Sequence, residues 1–403
     1  MHTFRQSALA GIGLGNFKEW VLPTFRKILV AGVALGGLAV MPLSSLATDR
    51  AVEQESTRAA FRVDPEGAVH TGPMTIPYSG FASPQSKVEF LKLEAQMRAG
   101  AAATDIAAQR QVQFQLWGPA LQRVKTLYPV DRVAARLGGV PVEVVTPREG
   151  IAVQNKHRVL INLHGGGMVL GAHVFSVLES VPVASLGKIK VVAVDYRLGP
   201  EHRFPAASED VVAVYQALLQ DYPASNIGIY GCSSGGDLTA EAMAWILKQQ
   251  LPHPGALGIF CGAAGGWLKQ GDSAYLAGPL NGVAPAPITD LGPYFAGANL
   301  NDPMLQPVLA PKLLAQFPPT LILTSTRDSM LSPALDTHRQ LVNAGVEAEL
   351  HVWDGMVHAF FTVYPDIPET HDALRVITRF FEARLGTEPS SNNARAATLP
   401  SHR

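Results

Sequence analysis

Cysteine is almost missing from this chain: two residues, Cys232 and Cys261, in 403. Two cysteines cannot build a disulfide framework, so a small stapled fold is excluded and a buried apolar core must hold the chain together. Charge is also sparse, at 16% of residues, and nearly balanced, with a net of −1. That balance leaves no polybasic stripe for nucleic acid, and no nucleic-acid partner is expected. No H-E-x-x-H, C-x-x-C or P-loop lysine occurs, and the glycine run at 165–167 lacks the G-x-G-x-x-G spacing of dinucleotide sites. No metal, nucleotide or haem cofactor is therefore expected. The longest apolar run falls short of the ~20 residues of a comfortable membrane span.

What the sequence has is apolar residues, 47% of the total, enough for one large α/β domain or two smaller ones. The longest apolar run, Ile28–Leu43, follows Arg5, Lys18, Arg26 and Lys27 and ends in Ser44-Ser45-Leu46-Ala47. A basic leader, an apolar middle and small residues at Ser45 and Ala47 make the pattern of a secretory signal over 1–47. Export to the periplasm or the medium is expected, leaving no stable membrane span after processing; an uncleaved N-terminal anchor is the alternative. The tail, 387–403, is rich in Ser, Asn, Ala and Pro without apolar periodicity and is expected to be disordered. The oligomeric state is open, a homodimer included.

Between these ends, 48–130 reads as an N-terminal segment with cap helices. Ser83-Pro84 is a good helix start, and Gly118-Pro119 interrupts a second helix. From about 131 to 386 strands and helices alternate. Val140–Val145, Arg158–Leu163, Lys190–Val194, Ile227–Tyr230, Leu257–Cys261, Thr320–Ser325 and Glu347–Trp353 read as strands. Segments near 208–219, 238–247, 333–343 and 369–385 read as helices. Alternation of this kind predicts a mostly parallel, doubly wound α/β sheet. Residues 263–300, rich in Gly, Pro and Ala, look like a second cap insertion.

Chemistry concentrates at the expected strand ends. Gly231-Cys232-Ser233-Ser234-Gly235 follows a strand and precedes a helix, the context in which G-x-S-x-G presents a serine on a sharp turn. Ser233 is the candidate nucleophile. His358, after the last strand, is the candidate base, because an imidazole near neutral pKa can take the serine proton and return it. Asp328, after Thr320–Ser325, is the candidate acid that orients the imidazole; Asp336 and Asp354 are rivals. The order Ser, Asp, His is that expected for an α/β-hydrolase fold. His164-Gly165-Gly166-Gly167 follows a strand as well, and glycine backbones let N–H groups approach a substrate carbonyl. Gly165, Gly166, Gly167 and Ser234 are the candidate oxyanion donors. The two cysteines fall at the same edge, where a bridge is conceivable; two separate buried thiols are the favoured state.

Five segments together, HGGGM (164–168), DYRLGPEHRFPAA (195–207), GCSSGGDL (231–238), PPTLILTSTRD (318–328) and DGMVHAF (354–360), resemble the hormone-sensitive-lipase-like, HGGG-type carboxylesterase family. The resemblance covers roughly 140–385. It implies an α/β-hydrolase fold with a helical cap and a serine carboxylester hydrolase that takes a small ester with a short- to medium-chain acyl group. It also implies that Asp195, Arg197 and Glu201 organise structure behind the site. The chain departs from the family at Cys232, commonly acidic or threonine, at Ser234, commonly alanine, and after Asp328, where the second aspartate of D-x-L-x-D is replaced by Ser332. A lactonase, deacetylase or amidase on the same triad is the alternative activity. A catalytically silent ligand-binding relative is the alternative of another class. Trp117, Trp267, Tyr275, Tyr294 and Phe295 either wall the pocket or pack the caps onto the body.

Overall fold

The computed structural model describes residues 61–99 and 105–386. The leader at 1–47 and the tail at 387–403 lie outside the described residues. Two compact units divide at Thr75/Ile76. In the first, strands β1 (Arg62–Val63) and β2 (Val69–His70) form an antiparallel hairpin closed by an Asp64–His70 pair.

The second unit holds everything else. Helices α1 (Pro84–Ala99), α2 (Ile106–Leu116) and α3 (Gly118–Leu127) come first. Ser83 starts α1 as the sequence predicts, its Oγ accepting from the N–H of Ser86. Trp117 ends α2 and opens α3, which places the break at Gly118-Pro119. No structural division falls at 130/131, because these helices are tied to the body. Ser83 donates to Glu369, Arg110 pairs with Glu201, Arg123 pairs with Asp366, and the Trp117 ring meets Phe175.

The sheet has eight strands: β3 (Val130–Leu137), β4 (Val140–Pro147), β5 (Val159–Leu163), β6 (Lys190–Val194), β7 (Ile227–Cys232), β8 (Ala256–Phe260), β9 (Thr320–Arg327) and β10 (Ala348–Val357). Their order across the sheet is β10-β9-β8-β7-β5-β6-β4-β3. Strand β4 runs antiparallel to both neighbours and all other pairings are parallel. Strands β5, β7 and β8 are buried at every position, the signature of a parallel sheet covered on both faces. On one face α4 (Phe175–Gly187) and α9 (Pro368–Arg384) contribute to a core with Leu160, Tyr230, Phe260 and Phe381. On the other, α5 (Ala206–Leu218), α6 (Ser234–Lys248) and α8 (Leu331–Asn343) cover Ile161, Ile229 and Ile322.

The segment between β8 and β9 carries a helix, α7 (Asp272–Leu280), and its Ala263, Trp267 and Leu305 form a small apolar cluster with Met330, just after β9. Strand β3 was not expected. Its sequence, VDRVAARL, alternates imperfectly and carries three charges, as suits an exposed edge.

Candidate active site

Parallel strands deliver their C-terminal ends to one rim, and there the candidate residues gather. Strand β7 ends at Cys232 and α6 begins at Ser234, so Ser233 alone makes the turn, at φ 58° and ψ −129°. A side chain in that region costs about 1–3 kcal/mol of strain, which surrounding packing must hold. Here it does. A Cβ on Gly231 would lie 2.2 Å from the Leu163 carbonyl oxygen, and one on Gly235 would lie 1.9 Å from the same atom. Only glycine at both positions lets the elbow press against β5. Ser233 N–H donates to the Phe260 carbonyl at 2.8 Å, and its own carbonyl accepts from Gly236 and Asp237. The hydroxyl is partly exposed and has no protein partner among the described residues.

The acid is fully buried. Asp328 Oδ1 accepts from His358 Nδ1 at 2.7 Å and from the Met330 N–H at 2.8 Å, while Oδ2 accepts from Thr324 Oγ1 at 3.1 Å. The bond puts the His358 proton on Nδ1 and leaves Nε2 its lone pair. Burial works against charge on His358, but the attraction and hydrogen bond of Asp328 prevail and push the imidazole up to about 9. With 37% of the side chain exposed, water screens part of that attraction. The register of β10 against β9 shifts between Trp353 and Val357, and such a bulge re-aims the residues that follow it. Asp336 pairs instead with Arg339 and Lys269, and Asp354 accepts from Ser79.

Cys261 joins the two halves. Its Sγ, an Asp328 oxygen and a His358 nitrogen all lie within 4.8 Å of one another, while Phe260 beside it holds the Ser233 backbone. These three are the one set with metal-ligand spacing among the described residues; the multiple hydrogen bonds at Asp328 fit an acid–base pair better. Both cysteines are free and buried. Asp237, in the first turn of α6, also feels His358; burial pushes it up to about 7, against hydrogen bonds from the Ala263 N–H and Trp267 Nε1.

The glycine loop leaves β5 beside the elbow. Gly166 has φ +126°, and a Cβ there would meet the Leu170 carbonyl oxygen at 2.4 Å, so only glycine fits. His164 stacks on Tyr196 at 4.4 Å, with Nδ1 2.8 Å from the Gly165 carbonyl, and the Tyr196 hydroxyl donates to the His164 carbonyl at 2.6 Å. Burial lowers His164 to about 4, so a neutral ring braces the loop. Among the described residues, the N–H groups of Gly166, Gly167 and Ser234 have no partner in the chain. Gly165 differs from what its motif suggests. Its N–H donates to Glu179 Oε1 at 2.9 Å, which takes it out of the set of free donors. Glu179, on an otherwise apolar helix, gave no signal in the sequence.

A family model described as the alpha/beta hydrolase fold matches residues 160–362. The chain belongs to the hormone-sensitive-lipase-like α/β-hydrolases. The crystal structure of an esterase, E25, aligns with a TM-score of 0.68 at 30% identity over 78% of this chain and 98% of that one. An esterase from the bacterial hormone-sensitive lipase family aligns at 0.66 and 26% identity, over 75% and 99%. An acetyl-hydrolase of Streptomyces hygroscopicus is 28% identical over 62% of this chain and 85% of its own.

Of the other singled-out residues, Arg197 grips Asp210 at 2.9 Å, and Glu201 takes both arms of Arg110, at 2.7 and 2.9 Å. Arg110 also caps the carbonyls of Val169 and Gly199. Asp195 receives a long contact from His173 at 3.7 Å. The aromatic residues divide. Tyr294 is fully buried, its oxygen accepting from the Ala207 N–H, and Trp267 and Phe295 pack together. Tyr275 stays exposed. Among the described residues no helix is long and apolar enough to cross a membrane.

Proposed function

We propose that this protein hydrolyses carboxylic esters with short- to medium-chain acyl groups by acyl transfer through Ser233. The observation that carries the reading is a part-exposed His358 held by the buried Asp328 at the rim where a serine sits in strained backbone at the start of α6. His358 Nε2 takes the Ser233 proton as Oγ attacks the acyl carbon. The N–H groups of Gly166, Gly167 and Ser234 receive the oxyanion, each donor of this kind contributing about 2.7–4 kcal/mol. Asp328 stabilises the imidazolium, which passes its proton to the departing alcohol. Water, activated by the same imidazole, then releases the acid. The name of the acetyl-hydrolase relative supports a small acyl group, and the α1–α3 segment and the β8–β9 insertion are proposed as the cap that bounds its pocket. Export with removal of 1–47 belongs to the same proposal, on the strength of the leader pattern; an intact mass of the mature protein beginning before Ala47 would refute it.

A chain-length series of p-nitrophenyl esters, run with Ser233→Ala, tests the reading. Turnover should peak at short to medium acyl chains and fall by several orders of magnitude in the variant. Parallel lactone and anilide substrates test the lactonase and amidase activities. Binding without turnover by the wild type would favour a silent receptor.

A further inference from the structure

Glu179 is out of place in α4. The helix buries Val177, Leu178, Val181, Pro182, Val183 and Ala184, yet among them stands a carboxyl that is 5% exposed. No cation pairs with it among the described residues. Its oxygens reach instead to the back of the site. Gly165 N–H donates to Oε1 at 2.9 Å and the Asn162 amide donates to Oε2 at 3.0 Å. The Cys232 N–H faces the same carboxyl and adds to its anion's stabilisation. One side chain thus ties the end of β5, the first glycine of the loop and the residue before Ser233. Loop and elbow also touch at this point. A Cβ on Gly165 would lie 2.9 Å from the Cys232 carbonyl oxygen and 3.3 Å from Ser233 Cβ. Any drift of Gly165 therefore moves the N–H groups of Gly166 and Gly167 relative to the Ser233 hydroxyl.

We propose that Glu179 is a positioning residue of the oxyanion hole, pinning Gly165 so that the next two N–H groups face the carbonyl held over Ser233. The inference rests on the esterase reading and deepens it. The protonation of Glu179 fits its surroundings. The titratable groups that face it are Tyr196, Tyr230 and Cys232, all kept neutral by burial, and His164 next to Gly165 is neutral as well. Burial pushes the Glu179 carboxyl up to about 8, against the hydrogen bonds it accepts. A protonated carboxyl keeps its bond from Gly165 and gains a donor. That donor suits Asn162 Oδ1, which is buried without a partner and is interchangeable with Nδ2 by turning the amide over. A glutamine at 179 can make the same set of bonds, Oε1 accepting from Gly165 and Nε2 donating to Asn162. An apolar residue makes none of them.

The test compares Glu179→Gln and Glu179→Leu in the full chain. Three quantities are read: kcat and KM for p-nitrophenyl acetate, the rate of Ser233 phosphonylation by a fluorophosphonate, and Tm from pH 5 to 9. Displaced donors should lower kcat and phosphonylation in the leucine variant by roughly 10- to 100-fold, with KM little changed. The glutamine variant should keep kcat within about threefold of wild type. Its Tm advantage over wild type should widen from pH 5 to 8, because folded Glu179 must hold a proton that the unfolded chain has already lost, and taking it up on folding costs more as pH rises. Should Glu179→Leu fail to fold, Glu179→Met takes its place under the same criteria. A folded apolar variant with wild-type kcat and phosphonylation rate overturns the inference, and so does a glutamine variant as impaired as the apolar one. A wild type that neither turns over esters nor labels overturns the esterase reading itself, a result distinguishable from either.

Discussion

Asp328→Asn separates charge from geometry at this site. The carboxylate is buried and Met330 N–H points at the same Oδ1 that His358 uses. An asparagine must keep its oxygen there, since its NH2 cannot face a backbone donor. The amide nitrogen then falls at the Oδ2 position and donates to Thr324 Oγ1. The imidazole keeps its tautomer and orientation, and only the negative charge is lost. Burial opposes charge on His358; Asp328 overrides it and holds the group at about 9 rather than the ordinary 6.5. Losing that attraction corresponds to ~3 kcal/mol. With over a third of the imidazole exposed, screening trims this to ~2 kcal/mol, or roughly 30-fold in rate. The assay is kcat/KM for p-nitrophenyl acetate from pH 5 to 10. A base must be neutral to act, so activity rises with pH through the His358 pKa. The wild-type limb should lie between 6.5 and about 9, and the variant limb below 6.5. On the plateau above both limbs the variant should be about 30-fold slower. A limb that does not move would refute the reasoning. A loss near ~10⁴-fold would refute it differently, since that is the scale of an inverted tautomer.

Three further outcomes follow from the geometry. Gly235→Ala puts a methyl 1.9 Å from the Leu163 carbonyl and should cost about 3 kcal/mol or more in chemical denaturation, whereas Gly118→Ala, with open space around it, should change stability by less than about 0.5 kcal/mol. Arg110→Ala should lower Tm by more than Glu201→Ala, because the arginine also caps the carbonyls of Val169 and Gly199; equal shifts would mean the ion pair is all that matters. Thiol titration should find two free thiols per chain in denaturant and almost none reacting quickly in the native protein, and a disulfide would contradict the buried, unbridged pair.

Much of this was readable in advance where chemistry and topology coincide. The sheet strands β5 to β8 announce themselves as apolar runs because a doubly covered sheet has no solvent face to dilute them, whereas β10, at the edge, is only partly buried. The motifs at 164–167, 231–235, 328 and 358 were legible because each lies at the C-terminal end of a strand. Three things were hidden. Strand β3 is held by its pairing with β4 rather than by its own pattern, and its exposed edge carries the charges. Helix α6 starts at Ser234, although Ser-Gly-Gly are poor helix formers, because the elbow packing fixes the backbone there. Glu179 is the one ionisable side chain in a largely apolar helix with an internal proline, and nothing local tells that its partner is Gly165, fourteen residues earlier. The same long-range contact explains why Gly165 looked like an oxyanion donor in its motif and is not free to be one.

The account stands on one alcohol oxygen made reactive by one imidazole. Mass-mapped fluorophosphonate labelling of the folded protein addresses that directly. A single adduct on the peptide containing Ser233, lost in Ser233→Ala and slowed by at least about 100-fold in His358→Ala, is the predicted result. An adduct on any other residue, or a labelling rate indifferent to His358, would contradict it.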